Sequence, residues 1–152
     1  MRGAAVLLAV VVILGLGQAG MAAEPKSYVG SKACEGCHEK EYASFEKFAK
    51  KAHSFKSIQI MAAKLEPSEL KECYGCHTTG YGRPGGFVSL EKTPDLANAG
   101  CEVCHGPGSL HAESGDKDQI KGKISVEECQ TCHNEQRVKS FGFKPMLFGG
   151  AH

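Results

Sequence analysis

Cys101-Glu102-Val103-Cys104-His105 is the stretch that decides how the rest of the chain is read, and Gly106-Pro107-Gly108-Ser109-Leu110-His111 follows it directly. The same C-x-x-C-H spacing recurs at Cys34-Glu35-Gly36-Cys37-His38, Cys73-Tyr74-Gly75-Cys76-His77 and Cys129-Gln130-Thr131-Cys132-His133. Together the four copies use all 8 cysteines of the 152-residue chain. In this pattern two thiols add across the vinyl groups of a haem, and the adjacent imidazole takes the iron as an axial ligand. The sequence therefore predicts four covalently bound haem c groups. They are attached through Cys34, Cys37, Cys73, Cys76, Cys101, Cys104, Cys129 and Cys132, and ligated by His38, His77, His105 and His133.

Paired zinc ribbons also use C-x-x-C half-sites, but zinc has no need of a histidine directly after the second cysteine. At the chain's histidine content, four such coincidences have a probability on the order of one in 10⁵. Disulfides would not demand the same spacing four times.

The amino terminus carries a second signal. Met1-Arg2 is a short positive region, Ala4 to Leu16 is apolar, and Gly20 and Ala22 are small residues placed for a cut before Ala23. An apolar run of that length falls short of the roughly 20 residues a membrane-spanning helix needs. Residues 1–22 are accordingly expected to be a cleaved signal peptide, with residues 23–152 forming one tetrahaem cytochrome c domain and no integral span left after cleavage. Export agrees with haem attachment, which in bacteria takes place outside the cytoplasmic membrane, so the expected location is the periplasm, with onward passage to the cell surface left open.

Leu, Ile, Val and Phe make up less of residues 23–152 than the roughly 20% below which a chain struggles to bury its own interior. The cofactors must supply that interior. The expected fold class is mostly α with long loops, a small single domain whose core is formed by four covalent haems. The near balance of 18 Lys and Arg against 17 Asp and Glu carries no nucleic-acid footprint.

Along the chain, Tyr42, Phe45, Ala49 and Ala52 recur at helical intervals between His38 and His53. His53 ends that stripe and is read as a further iron ligand. Phe55 to Leu65 is a second helical stretch with Met61 facing inward, and Pro67-Ser68-Glu69 starts a helix that carries Cys73 to His77. The glycine-rich loop from Thr78 to Gly86 is expected to let backbone approach a flat cofactor, and Phe87-Val88-Ser89-Leu90 reads as a short strand. Thr93 to Gly100 connects to the third motif. Gly106-Pro107-Gly108 forces a turn, so His111 is too close along the chain to pass round the haem of His105 and is assigned to a neighbouring one. Glu113 to Lys123 reads as an exposed loop. Ser125-Val126-Glu127-Glu128 is a helix-start capping box that places Cys129 to His133 on a short helix. The apolar tail from Phe141 is expected to pack on haem, with His152, or alternatively Met146, as an axial ligand.

Four irons have eight axial positions, and beyond the motif histidines only His53, His111 and His152 remain. At least one haem therefore lacks a second histidine from its own chain. An open iron would suit a small-molecule reductase acting on nitrogen oxides or similar ligands. Methionine ligation would raise that haem's potential, and a histidine borrowed from another chain would make a self-associating, filament-forming conductor.

The four motifs in this order, the Thr78-Thr79-Gly80-Tyr81-Gly82 loop after His77, the Cys101-to-His111 segment and the helix from His38 to His53 resemble the tetrahaem cytochrome c554 family over nearly all of the mature chain. The resemblance implies a helical, haem-packed electron carrier with closely stacked haem pairs, working between a redox protein donor and acceptor rather than as an enzyme. It also implies that His111 is the distal ligand of the first haem, that His53 serves a later one, and that the haem on His77 is five-coordinate. Ala43 stands where the family's type member has a further ligand histidine, which raises the stake on His152.

Overall fold

The computed structural model describes residues 25–134, which form short helices joined by long irregular segments, with no strand among them. The signal segment, the tail from Phe141, Met146 and His152 lie outside the described residues.

Helix α1 spans Glu39–Phe48 and α2 spans Phe55–Met61, joined by the 3-10 turn Lys50–His53. The stripe that suggests one helix is thus broken at Ala49, whose backbone is extended (ψ 113°). Phe45, Ala49 and Ala52 still meet as one buried cluster. Helix α3, Pro67–His77, opens with proline in its first turn and a capping box in which Glu66 and Glu69 satisfy each other's backbone N–H groups. Helix α4 is Glu102–His105, α5 is Ser109–Ser114 and α6 is Val126–Gln130. The Ser125 and Glu128 capping box expected for α6 is present.

The main apolar cluster consists of Phe55, Ile58, Phe87, Leu96 and Ala97, with Tyr28, Leu70, Cys73, Tyr74 and Tyr81 packed around it. Phe87 lies at its centre, 5.6 Å from the Phe55 ring and 5.2 Å edge-on from Tyr74. Such tilted aromatic pairs set the positive ring edge against the negative face.

Three sequence expectations change. Phe87 to Leu90 is not a strand: Phe87 N–H donates to Thr79 O at 2.9 Å as a single loop contact, and Val88 and Leu90 are exposed. Met61 is 46% exposed and does not face inward, because α2 turns Phe55 and Ile58 to the core instead. Part of Glu113 to Lys123 is helical, in the last turn of α5 and a 3-10 turn at Lys117–Gln119.

Two of the loop glycines are required by the polypeptide itself. A Cβ on Gly80 (φ +70°) would meet the Tyr28 ring at 2.6 Å, and one on Gly86 would lie 1.8 Å from Gly80 O. They make room for an aromatic ring and for the loop's own backbone. Inside the loop Thr79, 1% exposed, is a polar hub. Its N–H donates to Leu96 O, and its hydroxyl donates to Asn98 O (2.6 Å) and accepts from Gly100 N–H (3.0 Å). A buried backbone segment without sheet partners is thereby satisfied by one side chain.

Phe87→Ala should lower the unfolding free energy by about 3–5 kcal/mol, the usual cost of emptying a buried aromatic site. Denaturant unfolding monitored at neutral pH checks this, with Val88→Ala as the exposed control expected to change little.

Candidate haem-binding site

Each of the four motifs closes a single helical turn. The amide of the motif histidine donates to the carbonyl of the first cysteine at 2.9 Å for His38 to Cys34, 3.1 Å for His105 to Cys101 and 2.8 Å for His133 to Cys129. The second motif ends α3. In such a turn residues three and four apart share a face. Both thiols and the imidazole therefore project to one side, as attachment to one edge of a flat macrocycle requires.

None of the eight cysteines is paired in a disulfide. Among the described residues no three Cys, His, Asp or Glu side chains gather as they would around a zinc ion. The donor set of each motif, two thiols and one imidazole, fits a covalently held haem.

Motifs far apart in sequence meet through their sulfurs, atoms that stand for thioether sulfurs once haem is attached. Cys34 and Cys101 lie close enough to act on each other, which pushes the Cys34 thiol up and, together with the Ser31 hydroxyl, draws Cys101 down to about 6. Burial first, and then contact with Cys76, raises Cys132 to about 11. The first motif thus adjoins the third, and the second adjoins the fourth. Cys104 also lies close enough to Cys129 and Cys132 for its charge to be felt at both.

The histidines are oriented by backbone carbonyls. His77 Nδ1–H donates to Ser54 O (3.0 Å) while the Ser54 hydroxyl donates to His77 O (2.9 Å), so one residue holds the imidazole and its peptide together. His105 Nδ1–H donates to Lys121 O (2.6 Å) and His111 Nδ1–H to Asp116 O (2.9 Å). A carbonyl on Nδ1 fixes the tautomer and presents Nε2 to a metal. Burial, and then the Lys51 ammonium, hold His133 below the usual imidazole range, in the neutral form that ligation needs.

His53 is turned differently. Its Nε2–H donates to Glu46 O at 3.1 Å, so this nitrogen is occupied by the preceding helix and the ring would have to turn for Nε2 to bind iron.

The His38 and His111 ring centres lie 6.1 Å apart, with planes 30° from parallel. An imidazole nitrogen bonds a transition metal at about 2.0–2.1 Å, and the ring centre lies roughly 1.1 Å behind it, so two imidazoles on one iron hold their centres about 6 Å apart. The observed separation matches that span.

Sequence reasoning missed Ser54, Lys121 and Glu102. Glu102 is only 3% exposed and accepts backbone N–H groups from Val29 and Gly30 near the start of the described chain and from Gly108 in the turn that follows its own motif. Its position inside a motif, next to a Gly-Pro-Gly turn, was the available signal. Ser54 gave none, because its role depends on a contact with the distant His77.

The family described as cytochrome c554 and c-prime matches residues 33–106, which hold the first three motifs. Cytochrome c-554 of Nitrosomonas europaea is 32% identical over 134 residues, covering 70% of this chain. The chain belongs to the cytochrome c554 family. It is thus a c-type, haem-binding chain of the multihaem class. It spans 57% of the length of that curated relative. The structure of reduced cytochrome c554 from Nitrosomonas europaea shares the fold, with a TM-score of 0.58, 24% identity, and coverage of 84% of this chain and 85% of that one. The helical, strand-free architecture described above agrees with that likeness. Among the described residues no helix is long and apolar enough to cross a membrane.

The fourth motif of this cytochrome c554-family chain is tied to the third by Lys121. Its backbone N–H donates to His105 O (3.1 Å), its carbonyl accepts from the His105 ring, and its ammonium pairs with Glu128. The Lys121 ammonium first, and then Ser125, hold the Glu128 carboxyl at about 2 against an ordinary 4.5. A carboxylate depressed in the folded form adds stability above its unfolded pKa and loses it as pH falls towards the folded one. Wild-type stability should therefore show an acid-dependent loss between pH 4.5 and about 2 that Glu128→Gln flattens. Denaturant midpoints measured across that range check this, and added salt should shrink the difference because the pair is exposed.

Proposed function

We propose that this chain is a periplasmic tetrahaem electron carrier that passes single electrons between partner redox proteins. Cys34 and Cys37, Cys73 and Cys76, Cys101 and Cys104, and Cys129 and Cys132 would each hold one haem c, with His38, His77, His105 and His133 as proximal ligands. The haems, when bound, supply the one-electron chemistry. The chain's own residues fix their spacing, exclude water and set the imidazole tautomers.

The observation that carries this reading is the proximity of sulfurs between motifs, Cys34 to Cys101 and Cys76 to Cys132. Groups attached at such neighbouring sulfurs would lie close together, the proximity that electron transfer along a chain of centres needs. The exposed Phe48, Ile60, Met61, Val88 and Leu90 leave apolar surface on a domain with a small polypeptide core. That supports an interior completed by the cofactors, and an apo chain that does not fold alone.

The 6.1 Å separation of the His38 and His111 ring centres supports these two as the axial pair of the first haem. His53 and His152 are proposed as ligands of other haems, His53 after a rotation that frees its Nε2. Export directed by residues 1–22, with residues 23–152 as the mature domain, accords with c-type attachment outside the cytoplasm.

Intact-mass measurement of the exported protein should give four haem additions, and a redox titration should resolve several one-electron steps. His111→Ala should convert one low-spin ferric haem to high spin and raise carbon monoxide binding in the reduced protein by the equivalent of one haem. A spectrum unchanged in His111→Ala would refute the ligand pair. Reduced wild-type protein that binds no carbon monoxide would remove the alternative of a small-molecule reductase working at an open haem on His77.

A further inference from the structure

Glu102 lies between the first cysteine and the histidine of the third motif, yet its carboxylate serves the elements that carry His38 and His111. Its Oε1 accepts from Gly108 N–H at 2.7 Å and from Val29 N–H at 3.0 Å. Its Oε2 accepts from Gly30 N–H at 2.8 Å and from Val29 N–H at 3.1 Å.

These donors belong to two helix starts. Gly30 precedes the 3-10 turn Ser31–Cys34, which runs straight into the first motif and His38. Gly108 precedes α5, one turn before His111. A carboxylate offers acceptor sites on both oxygens, which lets it gather donors from two directions at once. Neighbouring bonds share the same two segments: Ser109 N–H donates to Ser27 O (3.1 Å), Ser27 N–H to Ser109 Oγ (2.9 Å), and Cys101 N–H to Ser31 Oγ (3.0 Å). Glu102 is the member that touches both helix starts.

We propose that Glu102 is a positioning residue that sets the separation of His38 and His111 and thereby keeps both on one iron. This rests on the reading that these two histidines form an axial pair. The α5 segment is only six residues long and has no aromatic or aliphatic anchor in either buried cluster. Polar bonds at its start must therefore hold it in place. In Glu102→Gln one oxygen becomes an amide NH₂, which turns a donor towards a backbone N–H and breaks one arm of the clamp. In Gly108→Ala the charge stays, but the new Cβ lies 3.2 Å from Glu102 Oε1 and pushes the carboxylate away by a few tenths of an ångström.

The test uses the haem-loaded, exported protein, with the ferric low-spin signal that disappears in His111→Ala taken as the marker of the pair. In Glu102→Gln that signal should fall or broaden while the other low-spin signals keep their wild-type intensity. Carbon monoxide binding by the reduced protein should rise towards one additional haem equivalent. Glu102→Asp, which keeps both acceptors on a shorter stem, should restore part of the signal. Gly108→Ala should shift the same signal in the same direction, and it decides the matter if Glu102→Gln is not recovered folded and haem-loaded. A wild-type marker signal in whichever variants are recovered would overturn the proposal while leaving the ligand pair standing. So would a uniform loss of all low-spin signals, which would mark Glu102 as a general structural residue. A marker that cannot be defined because His111→Ala is spectrally silent would overturn the ligand pair and this proposal together.

Discussion

One turn of helix, closed by a hydrogen bond from the histidine amide to the first cysteine carbonyl, is the constraint on which the structure depends. It is short enough to form anywhere and specific enough to place two thiols and an imidazole on one face. Four such turns leave little sequence for conventional packing. Among the described residues the polypeptide's own core accordingly consists of one aromatic cluster around Phe87 and a small one at Phe45. The other segments are held by polar side chains that reach into loops: Thr79, Ser54 and Glu102. Each satisfies backbone groups that a sheet or a longer helix would otherwise satisfy for itself.

Much of this was legible in the residues. The motifs announce themselves by spacing, and proline or a capping box marks the starts of α3 and α6 by local chemistry that needs no tertiary partner. Where the sequence misled, distance was the cause. The stripe from Tyr42 to Ala52 has helical periodicity, but the chain bends at Ala49 and keeps the same residues buried. The short run at Phe87 has a strand's composition, yet it spends its one buried ring on Phe55 and Tyr74. Gly80 and Gly86 proclaim a close approach without saying to what, and the answer is Tyr28 and the loop itself.

The imidazoles illustrate the same division between near and far. His77, His105 and His111 are proposed as ligands from their positions in the sequence. The carbonyls of Ser54, Lys121 and Asp116 that orient them come from residues with no motif of their own. Such carbonyls raise ligand basicity and stop ring rotation, so they tune a centre as well as hold it. His53, bonded through Nε2 to Glu46 O in the preceding helix, is held by the other ring nitrogen.

The sulfur contacts have a bearing on how the molecule is made. Cys34 lies beside Cys101 and Cys76 beside Cys132, so the first two attachment points each draw a neighbour from the trailing part of the polypeptide. A leading portion made first lacks those neighbours until the trailing portion follows it, which makes closure around these sulfurs a late event in the folding of the chain.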